Sequence, residues 1–371
     1  MADATVAQLT SVDPAPAQTW NWLKINSGTL EVPLSDALAS MDGHQLAQLA
    51  DTQVPPEAQG LLLGVGTQAT GWIDGDATSR QVVRVGAGET LDEPVTILCE
   101  AAQGDRVQTT VVLEEDSSCQ IVALALGKET DKGTSGQALR IVAEPGAKAT
   151  VYLLIAQGDN QQHIDGVGAL LGEDATLDIH HYILGSQSSA TGVFVDLVGQ
   201  NASLNATLSY VGRANQTVDM AYQVLHHGRR TSTLIGANGV LLGNAHKTLR
   251  ATIDLSRGCK GAEGTETETV LLAGDQVVNK TLPTILCSED DVAGNHGATI
   301  GSLSAEQAFY LACRGLSAAD ANDLMAEAIV DAAAAALPPQ ASEAVIAWAQ
   351  DNLGDEGAEN ARAAAQLARE F

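Results

Sequence analysis

Residues Asp290 to Gly301 read DDVAGNHGATIG, a lone histidine set among glycines just after two carboxylates. A neutral imidazole is a good ligand for iron. With an ordinary pKa of about 6.5 it is also a proton carrier near neutral pH. Gly294 and Gly297 lie close on either side of His296. Glycine supplies backbone angles that other residues avoid, so the stretch reads as a tight loop that leaves the imidazole uncovered. On residue type and spacing alone, a polar residue in a turn accounts for the stretch more readily than a reactive group does.

The other residues capable of chemistry give weaker patterns. His180-His181 and His226-His227 are adjacent pairs. In a strand, neighbouring side chains face opposite ways, so each pair reads as one packed ring and one solvated ring rather than a chelate. The five cysteines, at 99, 119, 259, 287 and 313, include no CxxC knuckle. The spacing therefore argues against a preformed structural zinc site or a disulfide framework, and the odd count suits a reducing compartment. Cys99 and Cys119 read as small core hydrophobes. Cys259, Cys287 and Cys313 lie nearer the glycine-rich stretch in sequence, and any ligand role for them stays open. The chain has no GxxxxGK[ST] phosphate loop, no HExxH and no GxSxG, and GVG at 64 to 66 lacks the rest of a dinucleotide fingerprint.

The elements that must position these residues show themselves as a repeat. GETLDEPV from Gly88, DSSCQIVA from Asp116, GAKATVYL from Gly146, DATLDIHH from Asp174 and NASLNATL from Asn201 each open on a turn former and run into an alternating strand. Their starts are spaced by 28, 30, 28 and 27 residues, with fainter echoes from Gly228 and Gly258. Such a period marks an array whose units bury their apolar faces on one another, and strand-rich units with no covering helix favour a parallel β-helix over a sandwich. The expected fold is therefore mainly β: a parallel, right-handed β-helix over residues 61–301. It is flanked by an N-terminal helical region, 1–60, with a disordered lead over about residues 1–16, and by a C-terminal helical region, 302–371.

In that last region Ser304 with Gln307 forms a capping box before AEQAFYLACR, and Ser317 caps AADANDLMAEAIVDAAAAAL. Ala321, Leu324, Met325, Ala328 and Ala332 form the apolar stripe of the second helix, and a third helix, SEAVIAWAQDNL, ends at Gly354. These helices are placed to cap the final coil or to dock a partner.

Nineteen Lys and Arg against 46 Asp and Glu give a formal charge of -27, which repels phosphate backbones and anionic membranes. Nucleic acid and membrane are therefore not expected as partners. No run approaches the roughly 18 apolar residues of a membrane span. The opening MADATVAQLTSVDPAPAQ lacks the basic start and apolar centre of a secretion signal, so the expected location is the cytoplasm. The chief rival from another functional class is a β-helix carbohydrate-active enzyme using Asp and Glu pairs. Aromatic residues that would grip sugars are only 3% of the chain, which argues against it.

From Leu271 to Ser317 the chain resembles the C-terminal signature of the SufB/SufD family of iron–sulfur cluster assembly proteins. That signature has a DDV, then HGAT-x-G, then FYL-x-x-RGL. Here these are Asp290-Asp291-Val292, His296 to Thr299 with Gly301, and Phe309-Tyr310-Leu311 with Arg314-Gly315-Leu316. TWNWLKIN also looks like the W-x-x-L-x-x-N opening of the SufD branch. Val277 stands where the SufB branch carries a cysteine, and HGAT replaces its HEAT, so the resemblance favours SufD. Gly294 stands where SufD proteins commonly have a cysteine, which leaves the weight on His296.

The resemblance implies a non-catalytic scaffold subunit of a SufBCD complex. It would pair with SufB through the β-helices and dock the SufC ATPase on residues 302–371. It would hold no tightly bound cofactor, and a nascent cluster would be held transiently by ligands from both chains, His296 as an iron ligand and a SufB cysteine. It also leaves open a homodimer when the chain is alone, a SufB-like role, and a purely structural partner that supplies no ligand.

Overall fold

The computed structural model describes residues 5–17, 21–274 and 276–370. The repeat closes into a coil because each unit contributes one strand to each of two parallel sheets. The first sheet holds β3 (Ser79–Val85), β5 (Arg106–Leu113), β7 (Gly133–Ala143), β9 (Gln161–Leu171), β11 (Ser188–Leu197), β13 (Thr217–His226), β15 (His246–Leu255) and β17 (Val278–Cys287). The second holds β4 (Val95–Glu100), β6 (Ser118–Leu126), β8 (Lys148–Ala156), β10 (Thr176–Ile183), β12 (Ser203–Gly212), β14 (Ser232–Leu242), β16 (Ala262–Ala273) and β18 (Val292–Gly301). The chain alternates between the sheets, so a parallel β-helix results.

One corner of the coil explains the repeat's first letter. Gly88, Asp116, Gly146, Asp174 and Asn201 all have left-handed backbones, with φ between 56° and 74°. Each donates its N–H to a carbonyl one coil further on, as Asp116 does to Pro145 and Asp174 to Gln200. Glycine, Asp and Asn are the residues that enter this region at least cost. The stack continues at Arg230 and Gly261 rather than at Gly228 and Gly258.

Inside the coil, side chains in register form columns along the axis. Val151, Ile179, Ala206 and Ile235 are one such column in the second sheet, all buried. At roughly 25 cal/mol per Å² of apolar surface buried, these stacked aliphatic columns are the main source of stability.

The N-terminal region differs from expectation. Residues 6–12, read above as part of a disordered lead, form β1 (Val6–Val12), an antiparallel partner of β2 (Gly28–Pro33). Ala7 and Leu9 are buried between exposed neighbours, which is a strand alternation, and Val12 is buried beyond a shift of register. The helix-like stretch after residue 35 yields only α1 (Gly43–Ala47), capped by Asp42 with Gln45. A further helix, α2 (Thr67–Gly75), precedes the first coil strand, which therefore begins at Ser79 rather than near residue 61.

This region packs on the outer face of the first sheet through Leu9, Trp72 and Ile73 against Ala138, Ile164 and Ala190. Gly192 permits the approach, since a Cβ there would lie 1.8 Å from the Val65 nitrogen. Fully buried Arg140 fastens the two parts, 2.6 Å from Asp74 and 3.0 Å from Asp51.

At the other end of the chain come α3 (Ala305–Cys313), α4 (Ala318–Ala336) and α5 (Pro339–Glu370), the last interrupted at Gly354 by a φ of 78°. Ser304 makes the expected capping box with Gln307, and Ser317, expected as a cap, makes one with Asp320. α4 and α5 do not cap the final coil. They lie along the outer face of the second sheet, where Val330, Val345 and Trp348 cover Leu124, Leu154, Tyr182 and Leu184. α4 buries Ala321, Ala326, Val330, Ala333 and Ala334, while Leu324, Ala328 and Ala332 of the expected stripe are exposed. In so Ala-rich a helix there is little contrast between faces, so the pattern fixes the phase poorly. The last coil, β17 with β18, is left open.

Candidate functional site at the open end of the coil

His296 lies in β18, the last strand of the second sheet, and not in a loop. Glycines that read as turn formers are tolerated here because an end strand has no coil above it to pack against. The ring's direction follows from its neighbours. A Cβ on Gly294 would meet Ile285 at 3.0 Å and Leu255 at 3.3 Å, so that position faces the interior. His296, two residues on, faces the same way. The register agrees, for His296 pairs with Glu266, which is only 3% exposed. His296 is nonetheless exposed, as the inward-facing groups of the last coil have no layer covering them. Cys287 stands at the same mouth on β17, in register with buried Leu255, and it too is exposed.

Beneath His296 the apolar column changes character. Val151, Ile179, Ala206 and Ile235 are followed by Glu266 and then His296; the next column inward ends Ala237, Glu268, Ala298. From the opposite sheet Lys247, 1% exposed, forms an ion pair with Glu268 and donates to Thr281 Oγ1 at 2.9 Å. Glu268 also accepts from Tyr210 Oη at 2.9 Å and from Thr281 Oγ1 at 2.6 Å. Lys247 Nζ lies 5.7 Å from the Tyr210 ring centre, within cation–π range.

Glu266 is placed differently. Its Oε1 is buried with no hydrogen-bond partner. Burial, reinforced by the charge of Glu268 and opposed by Lys247, pushes its carboxyl pKa up to about 7.

The remaining candidates fall elsewhere. His181 and His226 are buried, while His180 is half-buried and His227 exposed, as strand alternation requires. Midway along the coil His181 Nδ1 shares a 2.9 Å hydrogen bond with Tyr222 Oη, and His163 Nδ1 one of 2.8 Å with Ser135 Oγ. Burial lowers both rings to a pKa of about 3 and raises nearby Asp165 to about 7. His181 is therefore neutral, and its 3.7 Å approach to Asp165 is not an ion pair. Cys99, Cys119 and Cys259 are buried; Cys313 is exposed at the end of α3. Among the described residues no three His, Cys, Asp or Glu side chains converge to hold a metal ion. Among them, too, no helix is long and apolar enough to cross a membrane.

Sequence reasoning missed Lys247, Glu266 and Glu268. The signal was present in TETETV, where two acids alternate with threonines into an apolar run, but only coil register shows that the acids face inward.

A second exposed feature adjoins the mouth. α3 buries none of its residues, and Phe309 and Tyr310 are 72% and 57% exposed. Leu303, Glu306, Gln307, Tyr310, Leu311 and Met325 line a cleft of about 340 Å³ between α3 and α4. The TrpxxLxxAsn opening noted above begins at Trp20, outside the described residues, though Leu23 and Asn26 are within them.

The model of the SufBD core domain of the SUF system for iron–sulfur cluster assembly matches residues 97–329. Over 163 residues the chain is 23% identical to the iron–sulfur cluster assembly protein SufD of Bacillus subtilis, covering 44% of this chain and 37% of that protein. It is 26% identical over 156 residues to SufD of Escherichia coli, covering 42% and 37%. With SufB of B. subtilis it shares 20% over 237 residues, covering 63% and 51%. The aligned stretch thus spans between about a third and a half of these relatives.

Proposed function

The chain belongs to the SufBD core family of iron–sulfur cluster assembly proteins, and from that premise we propose that it is a SufD-like, non-catalytic scaffold subunit working in the cytoplasm. It pairs with a SufB-type chain through the open coil, takes a SufC-type ATPase on the C-terminal helices, and offers His296 to a nascent cluster as a transient iron ligand. The observation that carries this reading is the inward-facing, uncovered imidazole at the end of a coil whose edge strands have unpaired backbone on their free sides. Such edges are templates for a further strand, so a second coil seated there would enclose the ring. Imidazole and thiolate are both suitable iron ligands, and enclosure between two chains limits oxidation of the cluster.

For the ATPase, α3 is the best-supported landing site. A helix that buries nothing while presenting Phe309 and Tyr310 over an apolar cleft has the features of an anchor surface. ATP hydrolysis would belong to that partner and reach the coil mechanically.

Anaerobic co-purification with SufB- and SufC-type chains tests the assembly. Retention of both partners by the wild type, with loss of the ATPase alone in Phe309→Ala/Tyr310→Ala, is the expected result; retention of the ATPase by that variant would move the docking surface off α3. Deleting everything after residue 301 is a poorer test, because it uncovers Leu124, Leu154, Tyr182 and Leu184.

A further inference from the structure

Glu266 has no role in the reading above, yet it is the residue that the coil sets directly beneath His296. The two occupy adjacent parallel strands in register and both face inward. No hydrogen bond or ion pair joins them among the described residues, and no Lys, Arg or His nitrogen lies within ion-pair distance of the Glu266 carboxyl. The nearby ammonium is already engaged, for Lys247 is held by Glu268 and Thr281 over the Tyr210 ring.

A carboxylate 3% exposed, with one oxygen lacking any partner, is costly unless something completes it. Adjacent strands are about 4.8 Å apart. A first-row divalent cation makes bonds of about 2.1 Å to imidazole nitrogen and carboxylate oxygen, so two inward-facing neighbours in register reach one ion once the exposed His296 ring turns toward Glu266. Mixed nitrogen and oxygen donors favour a transition metal over calcium or magnesium.

We propose that Glu266 and His296 form a two-residue subsite at the mouth of the coil that takes ferrous iron before a partner chain completes the coordination. The choice of iron rests on the assembly reading above; the pairing of the two side chains does not. In this arrangement Glu266 anchors the ion from within the coil and His296 holds it at the rim. The remaining positions face outward, where the partner's thiolates would approach. Cys287, exposed at the same mouth, is not needed for the pair.

The test uses the full-length chain under anaerobic conditions, titrated with ferrous iron while the ring signals of ¹³C-labelled histidines are followed by NMR. His296→Ala assigns the His296 signal. Paramagnetic broadening should strike His296 first in the wild type, and Glu266→Gln should require about tenfold more iron for the same broadening. An unchanged unfolding midpoint in Glu266→Gln confirms that the fold is intact. Identical titrations for wild type and Glu266→Gln, or no selective broadening of His296 in the wild type, would overturn the subsite.

The two readings fail separately. If His296→Ala abolishes cluster formation in the complex while Glu266→Gln leaves the titration unchanged, the subsite is wrong and the assembly role stands. If the titration shifts as expected but His296→Ala forms clusters normally, the reverse holds.

Discussion

Two regions inside this coil are built from the same kinds of residue and differ in what surrounds them. Midway along, His163, His181, Asp165, Tyr222, Ser135 and Thr191 pack as a polar cluster within the apolar core, each 1% exposed or less. At the open end, His296, Glu266, Glu268, Lys247, Tyr210 and Thr281 repeat the mixture, but the last layer meets solvent. Midway, the histidines are neutral and bonded to hydroxyls, so they have no free charge to offer and nothing can reach them. A buried polar atom without a hydrogen-bond partner occurs in both regions, His181 Nε2 midway and Glu266 Oε1 at the end, but only at the end is the neighbouring imidazole accessible. Residue type therefore does not distinguish the two regions; position along the coil axis does.

Substitutions can press on that contrast, and the largest effect falls on Lys247, where the two regimes meet. Lys247→Met leaves Glu268 buried without its cation and should cost about 3–5 kcal/mol in denaturant unfolding. Adding Glu268→Gln should recover much of the loss; a double variant as unstable as the single one would mean that the pair is not the cause.

Removing the sealed ring comes next. His181→Ala opens a cavity and strands the Tyr222 hydroxyl, for about 3 kcal/mol, whereas His296→Ala should stay within about 0.5 kcal/mol of wild type. Equal losses at the two positions would erase the distinction drawn above.

A pH series sharpens it further. Asp165 keeps its proton in the folded chain to about pH 7, whereas the unfolded chain releases it near 4. Folding stability from this group is therefore present at low pH and lost as pH rises from about 4 to 7. His163 and His181 act in the opposite sense, since only the unfolded chain protonates them between about pH 3 and 6.5. The difference between Asp165→Asn and wild type isolates the first effect. It should grow in favour of the variant by roughly 1 kcal/mol per pH unit over that window. A flat difference would mean that Asp165 is ionised in the fold.

The smallest effect on stability is expected from the exposed helix. Phe309→Ala/Tyr310→Ala should leave the unfolding midpoint unchanged, because neither side chain is buried.

Much of the coil was legible because its corner demands a left-handed backbone, and Gly88, Asp116, Gly146, Asp174 and Asn201 announce that demand by type. The signal fades at Arg230, which takes a φ of 53° without being a residue that favours it. His296 was legible as a candidate but not as an inward-facing strand residue. Its glycine neighbours carry no alternating apolar pattern, and an end coil needs none. Glu266 and Glu268 were hidden for a related reason, as TETETV fixes a period of two but not which phase points inward. That phase comes from Ile235 and Ala237 one coil earlier. The hairpin strand at residues 6–12 escaped because its few apolar residues gain their meaning only against the outer face of the sheet.

Iron and acid-labile sulfide, measured in the anaerobically reconstituted complex with wild-type chain and with His296→Ala, test the central claim most directly. The variant is expected to retain both partner chains at wild-type stoichiometry and to yield a complex lacking iron and sulfide. A His296→Ala complex that carries a normal complement of both would contradict that claim.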